Sequence, residues 1–145
     1  MVDDDGLELF NGLSGRLKIK LTEAAQAMSE HVVNQVAPAS ARLASVAFDM
    51  KVFEDGKFRP LTDDEWRTVV IREPTIRMRG EGETISEHRA PDGAAFTVRD
   101  LADAIAKTEH AGRGSSEWFG GIDVHHVFFE GIEEDDGVWS ISWGS

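Results

Sequence analysis

The 145-residue chain contains no cysteine and no tyrosine. The missing cysteine excludes disulfide bonds, thiolate zinc sites and a cysteine nucleophile. It is also typical of a reducing compartment, so the sequence predicts a cytoplasmic protein. The missing tyrosine removes one of the common catalytic acids.

Long apolar runs are also missing, and basic residues are few. No apolar run approaches the roughly 20 residues needed to cross a bilayer, and the chain begins with acids rather than with the basic segment of a signal peptide. Lys and Arg number 15 against 27 Asp and Glu, which gives a formal net charge of −12. Because nucleic acids and anionic membranes are bound through basic side chains, this composition argues against both as partners.

The acidic charge is concentrated towards the C-terminus. No Lys or Arg follows Arg113, whereas five acids lie between Glu130 and Asp136. Their spacing does not match the alternating oxygen ligands of a calcium-binding loop, so we predict a solvated hairpin tip and no metal site. Long-range attraction would steer a basic partner towards this part of the chain.

The last third of the chain begins with a helix-start pattern. Thr97 and Asp100 are spaced as a capping box, and an apolar stripe at helical spacing follows them. Gly112 and Gly114 mark the end of this helix. The sequence therefore predicts a helix over residues 97–111.

Two strands and a turn are predicted after this helix. The segment from Ile122 to Phe129 is rich in Val, Ile and Phe, and Val138 to Trp143 alternates large apolar residues with serines. Asp136-Gly137 is a strong hairpin signal between them. We expect helix, strand, acidic turn and strand in this order, with Trp139, Ile141 and Trp143 on the buried face.

The first two-thirds of the chain predict one more long helix and several short strands. Thr22 and Pro38 bracket a helical stripe over residues 22–36. Residues 1–6 are predicted to form a disordered tail. A second capping box lies at Thr62 and Glu65. The remaining segments with strand character are 17–21 (which could instead lead into the helix), 42–53, the return strand at Phe58, 69–71, 75–79 and 83–89.

These elements predict an α+β fold. Two main helices, at 22–36 and 97–111, are expected to pack on a mainly antiparallel sheet of five to seven strands. The length fits a single domain over residues 1–145.

The glycine-rich loop 111–121 is the predicted place for a site, because loops carry function on rigid scaffolds. Arg113, together with neighbouring serines and Glu117, offers polar groups, and Trp118 and Phe119 offer binding anchors. The alternative is that the aromatic residues tuck into the core. The loop follows a helix C-terminus, which is the wrong dipole end for phosphate.

A histidine pair on the next predicted strand is the other candidate. His125 and His126 point to opposite faces of a regular strand, so the two are not expected to share a metal. His126 is predicted to pack in the core, whereas His125 shares a face with Asp123 and is a possible site residue. The sequence matches no zinc, serine-hydrolase or nucleotide-binding motif, so we predict neither a catalytic residue nor a cofactor.

Two functional hypotheses follow. The first is a non-enzymatic binding protein, similar to a small inhibitor or antitoxin, that presents an acidic surface to a basic protein partner. The alternative is a small-molecule-binding domain or enzyme, with a pocket formed by the 111–121 loop and the strand that carries His125. A homo-oligomer is compatible with either hypothesis.

Overall fold

A computed structural model describes residues 1–21, 43–81, 84–115 and 126–144. The helix predicted for residues 22–36 lies outside the described residues. Within them, the helices are α1 (Asp4–Asn11), α2 (Asp63–Trp66) and α3 (Val98–Ser115). The strands are β1 (Ser14–Leu21), β2 (Leu43–Glu54), β3 (Lys57–Arg59), β4 (Val69–Ile71), β5 (Thr75–Arg79), β6 (Ile85–Arg89), β7 (Phe96–Thr97), β8 (Phe128–Asp135) and β9 (Val138–Gly144).

The described fold is mostly β. Seven strands form one sheet in the order β3-β2-β1-β8-β9-β5-β6, and β4 and β7 form a second, two-stranded sheet. All neighbours in the large sheet are antiparallel except β5 and β9, which run parallel. About half of the described residues lie in strands and about a quarter in helices.

The predicted fold class is therefore wrong. The described chain is mostly β and only one of its helices is long, so it does not have two main helices packed on a sheet, and the parallel β5–β9 pair makes the large sheet mixed. One reason is that β8 continues through the acidic stretch that composition alone placed in a turn. Pairing with β9 satisfies its backbone, and strand propensity depends more on such context than on residue type.

Local signals predicted the hairpins correctly. All four residues of the two Asp-Gly pairs have positive φ. The values are 55° for Asp55 and 76° for Gly56 in one turn, and 54° for Asp136 and 81° for Gly137 in the other. This is the conformation that a two-residue hairpin turn requires, and it explains the Asp-Gly pairs.

Helix α3 is the main partner of the sheet. The predicted capping box is present: Asp100 N donates to Thr97 Oγ1 at 3.2 Å, and Thr97 N donates to Asp100 Oδ2 at 3.0 Å. The sequence predicted that the helix ends at Gly112 or Gly114, whereas it continues to Ser115. It contacts β2, β5 and β6, and its buried residues are Val98, Leu101, Ala102, Ala104, Ile105, Thr108, Glu109, Gly112 and Arg113.

The inner face of the sheet is aromatic and aliphatic. Trp139, Ile141 and Trp143 are buried, as predicted. Phe129 and Trp143 pack edge to face with ring centroids 6.0 Å apart, and Phe48 packs on Phe129 at 5.3 Å. Such pairs stabilise a core beyond the area that they bury.

The N-terminal residues are ordered by pairing rather than disordered. Val2 bridges Ile71, and helix α1 begins at Asp4, with the Asp3 side chain accepting a hydrogen bond from the backbone of Gly6. Gly6 is buried where a β-carbon would lie 1.9 Å from the carbonyl oxygen of Val69. The sequence could not show this contact, because the partners are separated by more than sixty residues.

The strand directions divide the turns between two ends of the sheet. β1 begins at Ser14, which pairs with Lys51 near the end of β2, and Arg16 pairs with Phe128 near the start of β8. Since β2 and β8 both run antiparallel to β1, the β2–β3 turn and the β8–β9 turn lie at the end where α1 joins β1. The β5–β6 turn and the start of β8 lie away from the tips of these two hairpins.

Candidate functional site

Helix α1 and the β8–β9 hairpin are joined by a reciprocal pair of hydrogen bonds. Asn11 Nδ2 donates to the carbonyl of Ile132 at 3.1 Å, and the Ile132 N–H donates to Asn11 Oδ1 at 2.9 Å. The contact sits beside Gly131, which has a φ of 119° at an irregularity of the β8–β9 register. A side chain is disfavoured at that φ, so the glycine lets the strand bend around the amide.

Three segments at this end of the sheet, α1, the β2–β3 turn and the β8–β9 hairpin, carry exposed carboxylates that we call together the acidic end. Its hairpin tip lies about 13 Å along β8 from Ile132, and the start of α1 lies about 10 Å along the helix from Asn11. The exposed carboxylates at this end are those of Asp4, Asp5, Glu8, Asp55, Glu133, Glu134, Asp135 and Asp136.

None of these eight carboxylates takes part in a salt bridge within the described part of the chain. Some other exposed acids are matched, for example Asp49 by Lys18 at 3.6 Å, whereas Asp64, Glu87 and Asp103 also have no salt bridge within the described residues. The acidic end is thus a region of uncompensated negative charge. The sequence indicated only its 130–136 part, because Asp4 and Asp5 were assigned to a disordered tail.

A second polar constellation lies inside the protein, between α3, the β5–β6 turn and the residues that precede β8. Arg113 is 1% exposed and Glu109 is fully buried, and Arg113 Nε donates to Glu109 Oε1 at 2.8 Å. The same guanidinium donates to the carbonyl of His126 and lies 5.5 Å from the ring centroid of Trp143.

The β5–β6 turn closes over this ion pair. The backbone N–H of Glu81 donates to both carboxylate oxygens of Glu109, at 3.2 and 3.0 Å. At Gly80 a β-carbon would lie 1.5 Å from Glu109 Oε2, so only glycine leaves room for the carboxylate. The pair therefore ties α3 to the β5–β6 turn and to the segment before β8.

Burial raises the pKa of the Glu109 carboxyl above its ordinary value of 4.5, although Arg113 and the Glu81 N–H act in the opposite direction. The folded protein then binds a proton that the unfolded chain releases, between pH 4.5 and the raised pKa. The contribution of Glu109 to stability is therefore greatest below pH 4.5 and falls as the pH rises through the raised value.

We expect the Glu109→Gln variant to lose this pH dependence. Glutamine keeps the size of the side chain but does not titrate. Urea unfolding measured between pH 4 and pH 8 should show a steeper fall in the free energy of unfolding for wild type than for the variant. Parallel curves would mean that the Glu109 pKa is the same in the folded and unfolded states.

The structure settles the place of only one predicted site residue. Arg113 lies on α3 rather than in a loop, and it faces Glu109. Glu117, Trp118, Phe119 and His125 lie outside the described residues, so their convergence on a pocket stays a prediction.

The sequence predicted that His126 packs in the core, and this prediction is wrong. His126 is exposed, and its Nδ1 lies 3.9 Å from Glu81 Oε1. The prediction assumed that a regular strand already covered this residue, whereas β8 begins only at Phe128.

Sequence reasoning overlooked His88 on the edge strand β6. Its Nε2 lies 2.7 Å from Thr108 Oγ1, and that hydroxyl donates to the carbonyl of Ala104 at 2.8 Å. The hydroxyl oxygen must therefore accept from Nε2–H, which fixes the tautomer of the neutral ring. Burial, and secondarily Lys107, lowers the pKa of His88. The contact fastens β6 to α3.

No group of three or more potential metal ligands occurs among residues 1–21, 43–81, 84–115 and 126–144. None of the helices described there is long and apolar enough to cross a membrane. Comparisons with protein-family models, with curated proteins and with solved structures give no significant match. Function must therefore be inferred from the acidic end and the buried pair themselves.

Proposed function

We propose that this is a non-enzymatic binding protein that uses the acidic end to hold a basic protein partner, in the manner of a small inhibitor or antitoxin. The supporting observation is the gathering of eight exposed carboxylates, from three separate segments, without a salt bridge in the described chain. The proposal includes the cytoplasm as the site of action, in keeping with the absence of cysteine.

The number of these exposed carboxylates suits electrostatic steering. At physiological ionic strength charges interact over about 8 Å, so neighbouring carboxylates on one surface reinforce each other while isolated ones do not. A surface of this kind accelerates association with an oppositely charged partner and selects against acidic ones. The net charge of −12 adds to the attraction for a basic protein.

The Asn11–Ile132 contact supports a fixed recognition surface. Both hydrogen bonds are made by one amide side chain, so α1 and the hairpin hold a set relative position. A preformed arrangement of charges loses less entropy on binding than one assembled from mobile segments.

The test neutralises the hairpin part of the acidic end and measures binding of a labelled peptide of alternating lysine and serine. The variant is Glu133→Gln/Glu134→Gln/Asp135→Asn, which leaves Asp136 in place because of its positive φ. We expect about a five- to tenfold loss of affinity in fluorescence anisotropy at low salt, shrinking as salt is added.

The matched control neutralises three exposed acids elsewhere, as Asp64→Asn/Glu87→Gln/Asp103→Asn. It changes the net charge by the same amount, so its affinity for the peptide should stay close to that of wild type. Equal losses in the two variants would show that only the mean charge matters, and the proposed surface would have to be abandoned.

A further inference from the structure

The acidic end alone gives a weak complex. Exposed ion pairs contribute little individually and are screened by salt. Stable protein–protein interfaces are centred on aromatic or other apolar side chains, with charged groups around them. An apolar anchor close to the acidic end is therefore needed for a specific interaction.

The β2–β3 hairpin carries such an anchor. Phe53 and Phe58 are directly paired across the two strands, with ring centroids 5.0 Å apart. They are 59% and 61% exposed, although the other large apolar residues of the sheet are mostly buried. A cross-strand aromatic pair stabilises a hairpin by itself, and the exposed faces of these two rings are also available to an apolar group of a partner.

The hairpin places these rings at the same end of the sheet as the uncompensated carboxylates. The turn that follows Phe53 contains Asp55, which belongs to the acidic end. The β8–β9 hairpin extends past the start of β1 in the same direction, two strands away in the sheet order. At a strand spacing of about 4.8 Å, the nearest strands of the two hairpins, β2 and β8, are about 10 Å apart, and Phe58 on β3 lies one strand further away.

Charges beside the rings are nearly balanced. Arg59 is matched by Glu54 at 3.1 Å and by Glu65 at 2.8 Å. Lys51 and Lys57 flank the aromatic pair, and Asp55 follows it in the turn. The rings themselves can pack against aliphatic side chains or attract a cation through their faces.

We infer that the Phe53–Phe58 pair is the apolar anchor of the proposed interface, and that the partner is a basic segment in which leucine-like side chains alternate with Lys or Arg. This inference rests on the proposed function. The aliphatic side chains cover the rings, and the cations reach the carboxylates of the acidic end. Charge complementarity favours this occupant over nucleic acid, because the chain carries a net charge of −12.

A second copy of the chain fits the pair less well. Two copies with this net charge repel each other. Two exposed rings also provide much less than the roughly 800 Å² per partner of a standard protein–protein interface. The free protein should therefore remain a monomer, whether or not the rings are present.

The experiment compares two labelled peptides of equal charge, one of alternating lysine and leucine and one of alternating lysine and serine. Wild type should bind the lysine–leucine peptide about ten- to thirtyfold more tightly in fluorescence anisotropy. Phe53→Thr/Phe58→Thr should lose this preference. Phe128→Thr removes a ring that is 48% exposed elsewhere on the sheet and should keep it.

The outcomes separate the anchor from the proposed function. The acidic surface is supported if the hairpin-neutralised variant binds both peptides more weakly than wild type. The anchor is refuted if wild type shows no preference for the lysine–leucine peptide, or if Phe53→Thr/Phe58→Thr keeps that preference. If neutralisation has no more effect than its control, the proposed function fails. Sedimentation that shows a wild-type dimer converted to a monomer by Phe53→Thr/Phe58→Thr would assign the rings to a second copy and overturn the inference.

Discussion

Replacing Arg113 with methionine is expected to lower the free energy of unfolding by about 3 to 5 kcal/mol. The substitution leaves Glu109 fully buried without its cation, and it removes the donor to the His126 carbonyl. Unpaired buried charge is among the most destabilising changes that a single substitution can make. Urea denaturation at pH 7, followed by tryptophan fluorescence, measures the loss.

Two further variants identify the ion pair as the cause. Arg113→Lys keeps the charge but cannot reach two acceptors with a planar fork, so an intermediate loss is expected. Glu109→Leu/Arg113→Met removes both charges and should recover much of the stability, since apolar replacements of buried pairs are often neutral or stabilising. A double variant as unstable as Arg113→Met would contradict this account.

The structural role of the Glu109–Arg113 ion pair could not be predicted from the sequence. The Glu109–Arg113 spacing of four residues is visible in the sequence, but on an exposed helix face it would contribute only a few tenths of a kcal/mol. What makes it important is burial beneath Gly80, which comes from a turn about thirty residues away. Arg113 was predicted to lie in a loop, because the glycines beside it suggested that the helix had ended.

Features set by neighbouring residues were predictable. The Thr62–Glu65 capping box is present, with hydrogen bonds of 3.2 and 2.9 Å. The alternating β9 pattern and the Asp-Gly turns were also recognised. Each depends on contacts within a few residues, where side-chain chemistry and backbone geometry are directly linked.

Features set by distant partners were not predictable. The parallel β5–β9 pair joins strands about sixty residues apart, and no local pattern encodes it. The first turn of helix α1 was assigned to a tail, because the stability of this helix comes from Gly6, Phe10 and Asn11, which contact other segments. The Asn11–Ile132 contact that joins α1 to the β8–β9 hairpin is also long-range, so only the hairpin part of the acidic end was indicated by the sequence.

Gly6→Ala is expected to destabilise the protein by about 3 kcal/mol, which is the reverse of the usual effect. Alanine in place of glycine normally stabilises a helix by about 0.5 to 1 kcal/mol. Here the new β-carbon would lie 1.9 Å from the Val69 carbonyl oxygen and 3.1 Å from the Val70 α-carbon. Both are backbone atoms, so the helix must move away from β4. Thermal and urea unfolding measure the change.

Gly12→Ala is the matched control at the other end of α1. Gly12 is exposed and has a right-handed φ of −88°, which alanine adopts without strain, so its stability should change little. Displacement of α1 would also shift its exposed acids relative to the β8–β9 hairpin. Gly6→Ala should therefore weaken binding of the lysine–serine peptide under conditions where the variant is still folded, whereas Gly12→Ala should not.

If Gly6→Ala were as stable as wild type, α1 would not be packed on β4 as closely as the structure shows.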